Sequence, residues 1–309
     1  MLEGPGSNNE PTTQGTFPWN EGNRGRWDNH RGTLNLLTDA SVLRAVGEIR
    51  SGRVIPCARP LERGIPSYYP EAAANAFERQ MITAWKGHAE GDIQVASDQF
   101  TVQTHGMGIT HIDALCHFGF QEKGFNATPF RDMASMDGVS LCGTGELGVI
   151  VTRGILADIP RSRGVDYLEP GAPVTASDLE PHLQLSQPGD ALVVRTGRWK
   201  IPESRRTISD HPPLTGLHAD CMTVVQDADI ALLGTDAGGD NFPAVLDENS
   251  RPVHIFSLAY LGLPLLHNLD LEALAAACEE RGTNSFFFAV APLNMPGTTG
   301  SPVTPIAIL

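Results

Sequence analysis

Two short apolar runs, each bounded by Gly and Asp, constrain the fold of this chain most strongly. They are GDALVVRTG at residues 189–197 and ADIALLGTD at residues 228–236. Apolar runs of this length that end in turn residues are typical of strands buried inside an α/β sheet. The sequence therefore predicts an α/β protein with buried strands at 190–196 and 229–235.

The remaining segments extend this pattern along the chain. Further strands are predicted at 93–104, 109–116, 147–152 and 284–292, and helices at 175–184, 215–227 and 270–281. Another helix is predicted to begin after Thr38 or Asp39, with that residue as its N-cap. Because no repeat or linker interrupts residues 26–309, we expect one domain there. Residues 1–25 are rich in Gly, Asn, Pro, Thr and Glu, and they are predicted to form a flexible N-terminal arm.

Charge and cysteine usage limit the compartment and the partners. The formal net charge is −14, which argues against binding to nucleic acid or to an anionic membrane. The five cysteines are widely spaced and form no C-x-x-C pair, so we expect a reducing compartment rather than a disulfide framework. Neither a signal peptide nor an apolar run of about 18 residues is present, and the expected location is the cytoplasm.

The stretch THGMGITHIDALCHFGF concentrates the groups that bind metals or move protons. His111, Asp113 and His117 lie within it, and His105 lies just upstream. In an extended strand, odd-numbered positions share one face, and Met107 belongs to this set. An imidazole and a carboxylate on one face suit zinc, manganese or iron. The alternative is a buried His–Asp hydrogen bond without a metal.

Two distal histidines are candidates to complete a metal site. His254 and His267 lie in the apolar stretch RPVHIFSLAYLGLPLLHNLDLEAL. A catalytic zinc ion needs about three protein ligands and one open position. His111 and Asp113 supply two of them, so His254, His267 or both would close the set. The alternative is that these two are core histidines with satisfied hydrogen bonds.

Three residues at or after the end of the 190–196 strand are candidates for substrate contacts. Arg195 offers the paired donors that bind a carboxylate, as does Arg198. Trp199 is a candidate for a pocket wall. The alternatives are an ordinary surface arginine and a tryptophan packed in the core.

Several of these motifs, taken in order, resemble one known family. The order T-H-x-D-x-x-x-H, the GDALVVRTG strand, the distal GLPLLHNLDLEAL and the ending GSPVTPIA are similar to the cyclase family. That family includes bacterial kynurenine formamidases, isatin hydrolases and trans-dienelactone hydrolases. The resemblance implies a single α/β domain of the cyclase/kynurenine-formamidase type (swivelling β/β/α), with a mixed sheet and flanking helices. It also implies a homodimer or homotetramer that acts on a small molecule.

The resemblance assigns roles to four residues of this chain. In the formamidase branch the motif is H-x-G-T-H-x-D-x-x-x-H, in which the leading histidines and the aspartate bind metal. Carried over, His111 and Asp113 are metal ligands, and His117 is the catalytic acid and base. His254 corresponds to the distal histidine ligand.

Two positions depart from the formamidase pattern. Met107 occupies the place of the first histidine, and His267 occupies the place of a distal glutamate. Methionine is a poor ligand for a hard, water-activating ion, and histidine does not bridge two metal ions as a carboxylate does. We therefore expect one divalent ion, zinc or manganese, with His267 as a further ligand. His105 is a reserve candidate ligand, and His105 and Met107 are also candidates for substrate contacts.

The expected activity is hydrolysis of a lactone, a cyclic amide or a related small carbonyl compound by metal-activated water. The alternatives are an aryl-formamide hydrolase and a natural-product cyclase or dehydratase. A third alternative is an inactive small-molecule-binding protein of the same fold. Met107 and His267 favour that last alternative, whereas the presence of His111, Asp113 and His117 together counts against it.

Overall fold

The computed structural model describes residues 21–66, 75–84, 94–106, 108–205, 213–242 and 251–309 of the chain. Their centre is a nine-stranded mixed sheet with the spatial order β1-β15-β13-β7-β9-β11-β12-β4-β14. Its strands are β1 (Val54–Pro56), β4 (His111–Asp113), β7 (Ile150–Asp158), β9 (Ala191–Arg195), β11 (Leu232–Thr235), β12 (Leu265–His267), β13 (Ser285–Val290), β14 (Gly300–Pro302) and β15 (Ile306–Ile308). Three two-stranded sheets pair β2 (Phe77–Thr83) with β3 (Ser97–Val102), β5 (Ala134–Ser135) with β6 (Gly138–Val139), and β8 (Pro173–Val174) with β10 (Gly216–Leu217).

The two apolar runs form neighbouring parallel strands in the middle of the sheet. β9 lies between β7 and β11, and it pairs with both in parallel. All five residues of β9 and all four of β11 are buried. Burial on both faces explains why these runs are continuously apolar rather than alternating. The predicted α/β fold with a mixed sheet and flanking helices is confirmed.

The helices are short and surround the sheet. They are α1 (Asp39–Val46), α2 (Phe130–Met133), α3 (Thr144–Leu147), α4 (Ile159–Ser162), α5 (Ala176–Leu183), α6 (Cys221–Asp227), α7 (Pro252–His254) and α8 (Glu272–Arg281). Short 3₁₀ turns lie at Gly32–Leu36, Leu115–His117, Phe125–Ala127, Arg198–Lys200 and Glu203–Arg205, and a π-helical segment spans Ile255–Leu261.

The ends of these helices follow from local sequence signals. Thr38 caps α1, because its side chain accepts a hydrogen bond from the Ser41 backbone while the Ser41 hydroxyl bonds to the Thr38 backbone. α8 ends at Arg281, as predicted, because Gly282 after it adopts a left-handed conformation. The prediction of a helix over 215–227 is wrong at its start. Residues 216 and 217 pair with β8, so the helix begins only at Cys221.

One edge of the sheet collects the chemically active segments. β11 and β12 are parallel, so their carboxyl ends meet at the same edge. β4 runs antiparallel to β12 and lies between β12 and β14. The first residue of β4, His111, therefore lies opposite the last residue of β12, His267.

The described part of the predicted N-terminal arm contacts this domain. Asn23 is 8% exposed, and its side chain donates a hydrogen bond to the carbonyl of Leu261 at 3.0 Å. The backbone N–H of Asn23 bonds to the Tyr260 carbonyl at 3.0 Å. The rest of the arm, residues 1–20, lies outside the described residues.

The interior is apolar, and the thiols lie in it. All five cysteines are free and buried, as expected for a chain without a disulfide framework. Within the described ranges, no helix combines the length and the hydropathy needed to cross a bilayer.

Candidate metal centre

Strand β4 presents the H-x-D pair. His111 and Asp113 lie on one face of this three-residue strand, and Ile112 between them is fully buried on the other. Across the ladder His267 pairs with His111. The alternation that the sequence predicted therefore holds over these three residues.

His117 reaches the site through a turn rather than through an extended strand. The prediction of a strand over 109–116 is wrong beyond Asp113, because Leu115–His117 forms a 3₁₀ turn. This turn brings the His117 ring parallel to that of His105, with 3.6 Å between centroids and 4° between planes. His117 therefore joins the other histidines as expected, but it does so through this turn and not through the alternation of side chains along a strand.

Asp113 is the centre of the cluster. It is 1% exposed, and its Oδ1 bonds to His105 Nδ1 at 2.8 Å and lies 3.3 Å from His111 Nε2. Its Oδ2 lies 2.9 Å from His267 Nε2 and 3.7 Å from His254 Nε2. Two triads of ligand atoms therefore share this carboxylate, each with its atoms within 4.8 Å of one another.

The ionisation states suit a metal-binding site. Burial opposes ionisation of Asp113, but interactions with His117, His267 and His105 hold its pKa well below the usual value. Burial lowers the pKa of His117 to about 3 and that of His267 to about 4. At neutral pH Asp113 is therefore a carboxylate and the His267 imidazole is neutral, which are the forms that bind metals.

Two imidazoles are oriented by hydrogen bonds at their outer nitrogens. His111 Nδ1 donates to the Ile109 carbonyl at 2.7 Å, so its Nε2 keeps a lone pair toward Asp113. His254 Nδ1 bonds to the Asp240 carboxylate, so its Nε2 likewise faces Asp113. Burial lowers the pKa of His254, but the charge of Asp240 outweighs this and raises it. Metal-binding histidines in proteins are held in this way by a carbonyl or a carboxylate.

A glycine beside two of the imidazoles and an unpartnered ring nitrogen bear on whether these residues fit a metal ion. Gly239 has φ +86°, and a Cβ there would lie 2.8 Å from His267 Cε1 and 3.3 Å from His254 Cε1. His267 Nδ1 is buried and has no hydrogen-bond partner among the described residues. Each triad offers two imidazoles and the shared carboxylate of Asp113, donors that are typical of zinc and also suitable for manganese. The residues present therefore fit a divalent ion.

Asn268 fixes the loop that precedes β4. Its Nδ2 donates to the Gly106 carbonyl at 2.7 Å and to the Ile109 carbonyl at 3.0 Å. Arg198 Nη1 donates to Asn268 Oδ1 at 2.5 Å, and the asparagine has φ 55°. The ends of the loop are thus tied to the residue after His267. Met107, between these two carbonyls in sequence, lies outside the described residues.

Three supporting residues are not among the sequence predictions: Asp240, Asn268 and Thr299. Thr299 Oγ1 bonds to His105 Nε2 at 2.8 Å. Asp240 follows the carboxyl end of β11 in GGDN, and polar residues after a buried strand are a recognised signal. Asn268 adjoins His267 and is 1% exposed. No comparable signal marked Thr299.

The predicted substrate residues Arg195 and Trp199 contact other protein groups. Arg195 pairs with Asp158 at 2.7 Å and with Glu272 at 2.8 Å. Burial opposes its charge, but hydrogen bonds to these two carboxylates raise its pKa above the usual value. Trp199 Nε1 donates to the Leu269 carbonyl at 2.6 Å. These contacts engage both side chains within the protein, and the substrate role of Arg195 and Trp199 stays a prediction.

Solved structures share this fold. A crystal structure of a novel cyclase covers 93% of this chain and 99% of its own, with a TM-score of 0.83 and 28% identity. An isatin hydrolase bound to the product analogue thioisatinate covers 88% and 99%, with a TM-score of 0.60 and 19% identity. A predicted metal-dependent hydrolase from Bacillus stearothermophilus covers 82% and 97%, with a TM-score of 0.53 and 18% identity. At such low identity, the last two show a common fold.

The sequence itself also identifies the family. A search of curated proteins found no match to this chain. The family model described as Putative cyclase matches residues 55–239, which is more than half of the chain. The match includes β4 with its H-x-D pair, His117 and Asp236, and it ends at Gly239. This protein therefore belongs to the cyclase family.

Proposed function

We propose that this protein is a metal-dependent hydrolase that opens a lactone, a cyclic amide or a related small carbonyl compound. The observation that carries the proposal is the convergence of His111, His254 and His267 on the buried carboxylate of Asp113. These four residues would hold one divalent ion, zinc or manganese. When bound, such an ion lowers the pKa of a water molecule and polarises a carbonyl group.

His117 is the proposed acid and base. Its side chain is only partly buried and forms no hydrogen bond to any described residue, so its ring nitrogens are available to a substrate. Its ring centroid lies 6.4 Å from that of His254, next to the proposed ligands. A neutral imidazole there accepts a proton from the attacking water and passes it to the leaving group.

His105 is proposed to position His117 rather than to bind substrate. Its two ring nitrogens are both engaged, Nδ1 by Asp113 and Nε2 by Thr299, each at 2.8 Å. The ring is therefore fixed, and its face supports the parallel His117 ring. A fixed stacking partner limits the orientations that His117 can adopt, which keeps its nitrogens near the reacting atoms.

The structural neighbours support hydrolysis as the reaction class. Both an isatin hydrolase and a predicted metal-dependent hydrolase have this fold along most of their length. Another neighbour is described as a potential metal-dependent hydrolase with cyclase activity, which is why the experiment must separate the two reactions.

The test is a substrate panel with metal analysis. Purified protein is assayed on lactones, cyclic imides and aryl formamides, with and without chelator. The masses of the products are measured by mass spectrometry. We expect about one equivalent of zinc or manganese, activity that chelator abolishes, and a product heavier than its substrate by one water. A product of unchanged mass, or one lighter by a water, would instead identify a cyclase or dehydratase.

A pair of variants separates metal binding from proton transfer. His117→Ala should keep the metal and lose activity by about 10²–10⁴-fold, because only the proton carrier is removed. His111→Ala should lose the metal as well, because a ligand is removed. A folded wild-type protein that binds no divalent ion would refute the proposal, and so would full activity in His117→Ala.

A further inference from the structure

A second cluster of metal-binding side chains lies outside the candidate metal centre. It consists of His30, Cys142 and Glu146, whose ligand atoms lie within 4.8 Å of one another. His30 precedes the first 3₁₀ turn, whereas Cys142 and Glu146 lie more than 100 positions later, around the start of α3. Only the tertiary structure brings an imidazole, a thiol and a carboxylate to this one place.

The spacing of two of these groups already matches a shared metal ion. Cys142 Sγ lies 3.6 Å from His30 Nδ1. Zinc binds sulfur at about 2.3 Å and imidazole nitrogen at about 2.0 Å, so a tetrahedral angle places the two ligand atoms about 3.5 Å apart. The observed distance therefore needs no movement of either residue.

The backbone at Cys142 is also unusual. It has φ 62°, a left-handed conformation that non-glycine residues seldom adopt because it is strained. Such a conformation persists where the surrounding structure enforces it, often at ligand sites. Here it accompanies a thiol that is 1% exposed and directed at His30.

Glu146 supplies the observation that points to a bound cation. Its Oε2 is buried and has no hydrogen-bond partner, and Glu146 forms no ion pair with any residue in the described ranges. A buried carboxylate oxygen without a partner is unfavourable, because it has lost its hydrogen bonds to water and gained none in the protein. A divalent cation between Glu146, Cys142 and His30 would satisfy that oxygen.

We propose that His30, Cys142 and Glu146 form a second, zinc-selective metal site, with water as the fourth ligand. The thiolate confers the selectivity, because sulfur ligands favour zinc, whereas manganese prefers oxygen ligands. On binding, the Cys142 S–H bond breaks, the sulfur–zinc bond forms and the proton leaves to solvent, so no group is oxidised or reduced. Burial raises the pKa of the Cys142 thiol to about 12, and the thiol is therefore protonated until the ion arrives.

The site ties the segment that carries His30 to the turn that carries His117. The Cys142 carbonyl accepts a hydrogen bond from the Cys116 backbone N–H at 3.1 Å, and Cys116 belongs to the Leu115–His117 turn. An ion bound by Cys142 and His30 therefore stabilises the Leu115–His117 turn through this backbone hydrogen bond. Because only the folded state assembles the three ligands, zinc binding adds to the stability of the fold. This inference does not depend on the proposed hydrolase activity.

Cobalt(II) is the probe that tests the site in the full-length protein. A cobalt–thiolate bond gives a charge-transfer absorption in the near ultraviolet, and none of the ligands of the candidate metal centre is a cysteine. We expect this absorption to saturate at one equivalent of thiolate-bound cobalt and to disappear on addition of zinc. Cys142→Ser should abolish it, whereas the matched control Cys278→Ser, another buried thiol, should keep it.

Two results would overturn the inference. One is a wild-type protein that is folded and saturated with cobalt but shows no thiolate absorption. This result does not depend on whether any variant folds. The other is an absorption that persists in Cys142→Ser. As an independent readout, zinc should raise the Tm of the wild type more than that of Glu146→Gln, and an equal rise in both would also count against the site.

Discussion

The Asp240→Asn substitution tests whether the orientation of His254 controls metal binding. The two carboxylate oxygens of Asp240 accept separate hydrogen bonds, one from the Val253 backbone N–H at 2.6 Å and one from His254 Nδ1. An asparagine has only one oxygen, and the backbone N–H cannot act as an acceptor. The amide oxygen therefore stays at Val253, and the amide NH₂ faces His254 Nδ1.

That arrangement reverses the tautomer of His254. Its Nδ1 must accept from the amide, so the proton moves to Nε2, which faces Asp113 Oδ2 at 3.7 Å. The lone pair that would bind the ion is lost. Substitutions of groups that orient ligating histidines cost about 10–100-fold in metal affinity, or about 1.4–2.7 kcal/mol. The loss of one charge-assisted hydrogen bond, about 1.5–3 kcal/mol, gives a similar figure.

The assay is a competition between the protein and a chromophoric chelator for zinc and for manganese. Asp236→Asn is the matched control, because Asp236 is buried nearby but bonds to Thr196, Gly197 and the Arg198 backbone instead of a histidine. We expect the control to lose stability and to keep its metal affinity. Wild-type affinity in a folded Asp240→Asn protein would refute the reasoning about the tautomer.

Three further predictions concern the same edge of the sheet. Gly239→Ala should destabilise the protein by about 2–4 kcal/mol and weaken metal binding, because its Cβ would lie 2.8 Å from His267 Cε1 at φ +86°; chemical denaturation and chelator competition measure both effects. The metal-free protein should lose stability as the pH falls from about 6.5 toward 4, because the unfolded chain then binds protons that His117 and His267 in the folded chain do not. The slope should be up to about 1.4 kcal/mol per pH unit for each group, and it should be shallower in His267→Gln; a flat profile in denaturation experiments would contradict these pKa directions. Asn268→Ala should cost about 2–4 kcal/mol in the free energy of unfolding, because two carbonyls and a guanidinium lose their partner; a change below about 0.5 kcal/mol would show that the loop does not depend on it.

The elements that the sequence predicted well are those whose signal is local. The strand expected at 190–196 is Ala191–Arg195, and the helix expected at 175–184 is Ala176–Leu183. Burial on both faces makes a strand continuously apolar, and a capping residue marks a helix start, so both signals lie within a few residues. The fold class follows from such signals.

Elements whose limits depend on partners were predicted less well. β4 stops at Asp113 because each of its neighbours, β12 and β14, pairs with only three of its residues. The segment after it then turns, and this turn brings His117 beside His105. A pattern of alternating residues carries no information about where a neighbouring strand ends.

The sequence by itself determined that the side chains of His111 and Asp113 lie together, because residues two positions apart on a strand share a face. It also named His254 and His267 as candidate ligands. Only the tertiary structure decided that these two rings stack with centroids 4.8 Å apart and that Asp240 orients one of them. The tertiary structure alone also placed the His30 ring beside the Cys142 thiol. The physical reason is that the lone pair an imidazole offers depends on the partner of its other nitrogen, and that partner is set by chain packing rather than by the residues next to it.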